Sequence, residues 1–185
     1  MAKSHPSLAP IRRAWHLAQS GAPKTGGTTT STVKTIAYLS LGSNVGDREA
    51  NLREAMRRIG ELGTVSKTSS FYETEPMEFA GQPWFLNCAV ELDTERSAQK
   101  LMRGLLDIER QMGRERDHPK GPRKIDIDIL LYGDAIIDEP GLKIPHPAMH
   151  QRRFVLAPLA DLAPDVVPDG WEARVEGSVR RVDNL

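Results

Sequence analysis

The stretch Gly121-Pro-Arg-Lys-Ile-Asp-Ile-Asp-Ile-Leu-Leu131 carries two carboxylates inside an apolar, β-branched run. This composition predicts a β-strand, in which successive side chains point to opposite faces. Asp126 and Asp128 therefore share one face, roughly 6–7 Å apart, while the isoleucines point to the other. Because two neighbouring carboxylates repel each other, a divalent cation with oxygen ligands would stabilise the pair. The pattern predicts a magnesium site.

The same pattern also fits an edge strand that turns its acids toward water. Nearby basic residues favour the metal site, because guanidinium and ammonium groups beside carboxylates suit a polyanionic phosphate held with a metal ion. These basic residues are Arg114, Arg116, Lys120, Arg123 and Lys124. Together the acidic pair and the basic loop indicate phosphoryl-type transfer.

Length and composition predict one globular domain that acts on a small molecule. The chain has 185 residues, of which 39% are hydrophobic and 27% charged, and this is enough for one core. It has no apolar run of the length that a membrane helix needs, so we expect no membrane partner. The single cysteine, Cys88, excludes an internal disulfide and fits a cytoplasmic protein. A formal net charge of zero argues against general nucleic-acid binding.

Residues 1–34 differ in composition from the rest of the chain. They contain five basic residues, no acid and a Thr/Ser tract at 28–32, with little periodic apolar pattern. We expect a disordered N-terminal extension, and this composition also fits an organellar transit peptide. Residues 35–185 are expected to form a single catalytic domain.

From residue 35 onward, hydrophobic periodicity predicts the order β-α-β-β-α-β. We expect strands over 36–41, 65–74 and 85–92 and through the Asp126 segment. A helix should end near Leu62, and another should run from a Ser97 cap to Gly113. Residues 164–185 carry weak signals for two short strands. This order is that of a ferredoxin-like α+β sandwich, with helices packed on a mostly antiparallel sheet.

Six short motifs occur in order between residue 36 and about residue 170. They are Ala37-Tyr-Leu-Ser-Leu-Gly-Ser-Asn44, Ser70-Phe-Tyr-Glu-Thr74, Gln82-Pro-Trp-Phe-Leu-Asn87, Gly113-Arg-Glu-Arg116, Gly121-Pro-Arg-Lys-Ile-Asp-Ile-Asp-Ile-Leu130, and Ile144-Pro-His146 followed by Arg152-Arg-Phe-Val-Leu-Ala-Pro158. Together they resemble the 6-hydroxymethyl-7,8-dihydropterin pyrophosphokinase family of folate biosynthesis.

The resemblance implies transfer of a pyrophosphoryl group from MgATP to the hydroxymethyl group of 6-hydroxymethyl-7,8-dihydropterin, with release of AMP. It implies that Asp126 and Asp128 bind two Mg²⁺ ions and that Arg114 and Arg123 are catalytic. It assigns ATP contacts to Glu109, Arg116, Ile129, His146 and Arg152, and pterin contacts to Thr74, Phe85, Asn87 and Phe154. Asn87 and Phe85 also share the non-core face of their predicted strand, which independently favours a site there.

The chain departs from the family pattern in the basic loop. The loop looks one residue short, and Lys120 stands where many members carry a tryptophan. We expect residues 114–122, and secondarily 75–83, to act as a lid over the bound substrates. We also expect a monomeric enzyme without a fused synthase domain.

Two other functions remain open from the residues alone. A nucleotidyltransferase also uses Gly-Ser and Asp-x-Asp, although more than eighty residues separate Gly42-Ser43 from Asp126 here. A ferredoxin-like nucleic-acid module could use the basic loop, although the chain lacks a strand with paired stacking aromatics. The products of ATP cleavage distinguish the first alternative, and the salt dependence of binding distinguishes the second.

Overall fold

An antiparallel six-stranded sheet lies at the centre of the computed structural model, which describes residues 34–75, 83–113 and 122–182. Its strands are β1 (Thr35–Ser43), β2 (Thr64–Thr68), β3 (Phe71–Thr74), β4 (Phe85–Thr94), β5 (Asp126–Tyr132) and, at the end of the chain, β8 (Val179–Val182). The spatial order is β5-β1-β4-β3-β8, and β2 also pairs with β4. A separate hairpin joins β6 (Ile137–Glu139) to β7 (Leu142–Ile144). The predicted α+β class with an antiparallel sheet is confirmed.

Three sequence predictions fall on parts of the chain outside the described residues. The extension predicted for residues 1–34 lies there almost entirely. So do Arg114 and Arg116, and most of the two segments predicted to act as lids.

Two helices pack on one face of the sheet. Helix α1 (Arg48–Ile59) begins at Asp47, whose Oδ1 accepts a hydrogen bond from the Ala50 N–H at 3.0 Å. Helix α2 (Ala98–Gln111) begins at the predicted cap Ser97, whose hydroxyl accepts from the Lys100 N–H. Their apolar faces meet the alternating apolar residues of β1, β4 and β5 in one buried cluster. The helical spacing of apolar residues that predicted both helices is therefore explained by their packing against the sheet.

A second buried cluster covers the opposite face, which the sequence patterns did not predict. Helix α3 (Arg153–Leu162) and the segment after it pack over Tyr38, Ala89 and Leu130. Residues 164–182 form two 3₁₀ turns (Pro164–Val166 and Trp171–Ala173) and the single strand β8, where two short strands were predicted. Among the described residues, no helix combines the length and apolarity needed to cross a membrane.

Two predicted boundaries are wrong because hydrogen bonds interrupt the regular backbone pattern. The strand predicted over 65–74 is divided into β2 and β3, because the Ser69 hydroxyl accepts the Ala89 N–H at 2.9 Å, so that a side chain replaces a strand carbonyl. Helix α1 stops at Ile59 because the next N–H groups of Glu61 and Leu62 bond to carbonyls three residues earlier. These bonds tighten the chain into a turn.

The packing of α2 predicts the cost of removing a core side chain. Leu105 is completely buried between α2 and the sheet, so Leu105→Ala should lower the free energy of unfolding by about 2–5 kcal/mol. Urea denaturation measures this loss. Arg103→Ala, at an exposed position of the same helix, should change it by less than about 0.5 kcal/mol. Equal losses in the two variants would show that the face of α2 is assigned wrongly.

Candidate active site

The register of three neighbouring strands brings the predicted metal ligands and a predicted pterin residue onto one face. Gly42 on β1 pairs with Asp126 of β5 on one side and with Asn87 of β4 on the other. Ser40 pairs with Asp128 in a neighbouring row. Residues that lie opposite each other on paired strands point to the same face, and strands are about 4.8 Å apart. The backbones of Asp126 and Asn87 therefore lie roughly 10 Å apart across Gly42.

The isoleucines of β5 point away from this face, as predicted. Ile125, Ile127 and Ile129 are 0%, 2% and 4% exposed and belong to the core between the sheet and helices α1 and α2. Asp126 and Asp128 are half-buried on the opposite side. Because the Ile129 side chain lies in the core, only its main chain remains for the ATP contact predicted there.

The acidic pair suits a cation that needs few protein ligands. Within the described ranges, no cluster of three or more His, Cys, Asp and Glu side chains is placed to hold a metal ion. Mg²⁺ typically binds one or two carboxylates and completes an octahedron with water and substrate phosphate oxygens. The donor set of Asp126 and Asp128 fits that ion and does not resemble a closed structural metal site.

Arg123 lies directly beside the acidic pair. Its Nη1 donates to Asp126 Oδ2 at 2.7 Å, and both side chains are half-buried. The Arg123 guanidinium thus reaches the face where a metal-bound phosphate would lie. Of the predicted catalytic residues, Arg123, Asp126 and Asp128 come together here.

Asn87 and Thr74, two of the residues predicted to contact the pterin, form a buried polar pair on this face. Each is 3% exposed, and Asn87 Nδ2 donates to Thr74 Oγ1 at 2.8 Å. The Asn87 Oδ1 lies over Gly42, where a Cβ would come within 2.7 Å of it. The same Cβ would lie 3.7 Å from Phe85 Cδ1. Three predicted pterin residues therefore meet around a glycine.

The residues predicted to form the site did not include Gly42. The available signal was an isolated glycine inside an apolar strand pattern, which often marks a close approach of another group. Here that group is the Asn87 amide.

Glu109 connects helix α2 to the strand of the aspartates. It is 1% exposed, and its Oε1 accepts the Ile127 N–H at 2.7 Å. This bond holds the main chain between Asp126 and Asp128 at the edge of the sheet. The structure thus shows a positioning contact for Glu109, while its predicted ATP contact stays a prediction.

His146 follows the β6–β7 hairpin and is anchored to β5. Its N–H donates to the Leu130 carbonyl at 2.9 Å, and its Nδ1 accepts the Ala148 N–H at 3.3 Å. Burial, and to a lesser degree the Arg152 charge, lowers the pKa of His146, while Asp126 acts in the opposite direction. Since Nδ1 is an acceptor, the neutral ring carries its proton on Nε2, which can donate to a phosphate oxygen.

The two adjacent arginines after this segment have different environments. The Arg152 guanidinium carbon lies 5.7 Å from the centroid of the Phe154 ring, so the predicted ATP and pterin residues are in contact. Arg153 instead packs on Trp171 and donates to the carbonyl of Val175 at 2.9 Å. Arg152 is therefore the one oriented toward the site residues, and Arg153 holds the C-terminal segment.

Known proteins match the part of the chain that contains the site residues described above. A model of the 7,8-dihydro-6-hydroxymethylpterin-pyrophosphokinase (HPPK) family matches residues 38–164. The chain is 42% identical over 149 residues to the 2-amino-4-hydroxy-6-hydroxymethyldihydropteridine pyrophosphokinase of Bacillus subtilis, covering 80% of this chain and 89% of that protein. It is 43% identical over 137 residues to the pyrophosphokinase of the same name from Pseudomonas aeruginosa, covering 72% and 84%.

Some relatives are much longer. The match to the folic acid synthesis protein fol1 of Schizosaccharomyces pombe is 43% identical over 139 residues but spans only 19% of that protein. Among solved structures, wild-type Plasmodium falciparum HPPK-DHPS with pteroate aligns with a TM-score of 0.61 at 18% identity. That alignment covers 79% of this chain and 42% of the other, and at this identity it shows the fold alone.

The lowered pKa of His146 predicts a loss of stability in mild acid. Between its folded pKa and the unfolded value of 6.5, the unfolded state binds more protons, so the free energy of unfolding falls as the pH falls. His146→Asn cannot take up this proton. It should therefore lose less stability than the wild type between about pH 7.5 and pH 5.5, as measured by urea denaturation at both pH values. Identical losses would contradict the assigned pKa shift.

Proposed function

The chain belongs to the 7,8-dihydro-6-hydroxymethylpterin-pyrophosphokinase family, and we propose that the face carrying Asp126, Asp128 and Asn87 is its active site. It is an ATP-dependent diphosphotransferase of folate biosynthesis that acts on 6-hydroxymethyl-7,8-dihydropterin. The observation that supports this site is the register of β1, which sets the acidic pair and the Asn87–Thr74 pair on opposite sides of Gly42. One site for phosphate and one for pterin thus lie side by side.

Asp126 and Asp128 hold two Mg²⁺ ions in this proposal. The support is the half-buried pair itself, which needs cations for charge balance and leaves room for phosphate oxygens as further ligands. When bound, magnesium neutralises the negative charge of the ATP phosphates. Glu109 contributes by fixing the main chain between the two carboxylates.

Arg123 stabilises the charge that spreads over the transferred group. The hydroxyl oxygen of the pterin attacks the β-phosphorus of ATP and loses its proton to water. The bond between the β-phosphorus and the oxygen that bridges it to the α-phosphorus breaks, and AMP leaves with that oxygen. Negative charge then grows on oxygens around the β-phosphorus, and a guanidinium fixed beside Asp126 donates hydrogen bonds to them. Arg114 is assigned the same task from the resemblance.

The nucleotide contacts proposed for His146 and Arg152 come from the family resemblance, and the chemistry of both side chains suits them. A neutral imidazole with its proton on Nε2 donates one directed hydrogen bond to a phosphate oxygen. The Arg152 guanidinium, held against the Phe154 ring, supplies positive charge nearby. Arg116 and the Ile129 main chain complete the ATP contacts proposed here.

The pterin is recognised by its edge and by its faces. The bond from Asn87 to Thr74 fixes the orientation of the amide, so its acceptor oxygen and remaining donor hydrogen face the ligand in a defined order. A pterin edge offers the complementary donors and acceptors. Phe85 and Phe154 stack on the two ring faces in this proposal.

A monomeric and cytoplasmic enzyme is also proposed. The pairing of β1 with β4 and β5 within the chain brings the described site residues together. The single cysteine, Cys88, is buried in the core, and burial raises the pKa of its thiol to about 12. Such an inert thiol fits a reducing compartment.

Replacement of the acidic pair tests the metal site. Asp126→Asn and Asp128→Asn should each reduce AMP formation from ATP, Mg²⁺ and hydroxymethyl-dihydropterin by about a thousandfold, because the amide oxygen carries no full charge for the metal. Separation of the nucleotides measures AMP. Asp134→Asn, at an exposed position just beyond β5, should keep wild-type activity. A fully active Asp126→Asn enzyme would contradict the assigned role.

The buried amide pair makes a separate prediction for the pterin. Thr74→Val keeps the side-chain shape but removes the acceptor of the Asn87 bond, so the KM for pterin should rise about 10- to 100-fold while the KM for ATP stays within about threefold. Thr94→Val is the matched control, since it removes a buried threonine bond to the Leu62 carbonyl at the other end of β4. Steady-state kinetics with each substrate varied would show the difference. If Thr74→Val and Thr94→Val changed the KM for pterin equally, the assignment of the Asn87–Thr74 pair to the pterin site would be contradicted.

A further inference from the structure

We propose that Asn44 is a positioning residue that fixes Arg123 for the transfer step. Asn44 directly follows β1 and is 1% exposed. Its Oδ1 accepts the Arg123 N–H at 2.8 Å, and its own N–H donates to the Arg123 carbonyl at 3.2 Å. One residue therefore holds both main-chain hydrogen-bonding groups of Arg123 from 79 positions away.

This clamp acts where the sheet no longer holds the chain. The pairing of β1 with β5 begins at Gly42 and Asp126, so Arg123 lies three residues before the first paired position of β5. The clamp extends the contact between the two chain segments beyond the ladder by one side-chain and one main-chain hydrogen bond. It thereby fixes the main chain of Arg123, from which the guanidinium reaches Asp126 Oδ2 at 2.7 Å.

The same amide also approaches the pterin side. Asn44 Nδ2 lies 3.5 Å from the Pro83 carbonyl, on the segment that leads into Phe85. A hydrogen bond of this length is weak, but it still requires a donor on the side chain of residue 44. An aspartate in this place would lack the donor and would add a negative charge near Asp126. An alanine would leave the Arg123 N–H without its acceptor.

The turn that carries Asn44 is supported separately. Asn51 on α1 donates from Nδ2 to the Val45 carbonyl at 2.8 Å and to the Ser43 hydroxyl at 3.2 Å. These bonds hold the turn on either side of Asn44 without contact to Arg123. Asn51 therefore offers a matched control, with the same side chain in the same turn.

A double-mutant cycle tests the inference, which rests on the catalytic role proposed for Arg123. Single-turnover rates of AMP formation are measured for the wild type, Asn44→Ala, Arg123→Ala and the double variant. Asn44→Ala should lower the rate about 10- to 100-fold, because a displaced guanidinium no longer meets the developing charge. In the Arg123→Ala background, the same substitution should lower the rate by less than about twofold, because the group it positions is gone.

Binding and stability measurements separate positioning from general damage. The Kd for a nonhydrolysable ATP analogue with Mg²⁺ should change less than about threefold in Asn44→Ala, and the stability loss should be equal in both backgrounds. Asn44→Leu, which keeps the branched shape of the side chain without the acceptor, should show the same rate pattern and serves if the alanine variant does not fold. Asn51→Ala should lose less than about threefold in rate.

Three results would overturn the inference. The first is an equal loss of rate in both backgrounds, and the second is a loss for Asn51→Ala as large as that for Asn44→Ala. The third is full activity of Arg123→Ala, which would also remove the role proposed for Arg123. A low rate for Arg123→Ala with an additive effect of Asn44→Ala would overturn only the role of Asn44.

Discussion

The pairing of β1 with β5 on one side and β4 on the other is the constraint on which the whole site depends. Because side chains alternate along a strand, a shift of one residue in the β1–β5 pairing would move Asp126 and Asp128 into the core and Ile127 out of it. The same shift in the β1–β4 pairing would move Asn87 into the core. Burial of two carboxylates without partners is far too costly for such a register to form. The apolar core therefore holds the acidic pair in place, because burial of Ile127 and Ile129 turns both carboxylates to the opposite face.

The site combines groups whose charges are only partly balanced before a ligand binds. Arg123 neutralises part of the charge of the acidic pair. Glu109 accepts the main-chain N–H of Ile127, which lies between the two aspartates at the edge of the sheet. Burial lowers the pKa of His146, which favours the neutral ring, and the Ala148 N–H on Nδ1 leaves the ring proton on Nε2. Fixed donors and charges of this kind need little rearrangement when a triphosphate binds, which is how electrostatic catalysis becomes effective.

Much of the fold could be predicted because its signals are local. The alternation in β4 and β5, the helical spacing of α2 and the Ser97 cap each depend on residues within one element. The predictions failed where a distant partner decides the outcome. The break between β2 and β3 depends on the Ser69 bond to Ala89, and the second buried face depends on a C-terminal segment without strong periodicity. Family membership selects the pyrophosphokinase among the functions that the residues left open.

The sequence by itself determined which side chains share a face, because alternation along a strand is a property of the extended chain. Alternation alone places Asp126 beside Asp128 and Phe85 beside Asn87. Only the tertiary structure decided which faces meet: Asn87 over Gly42, Glu109 on the Ile127 N–H, and Asn44 on the main chain of Arg123. The physical reason is that these contacts join residues far apart in the chain, and their geometry exists only after the helices and the sheet have packed together.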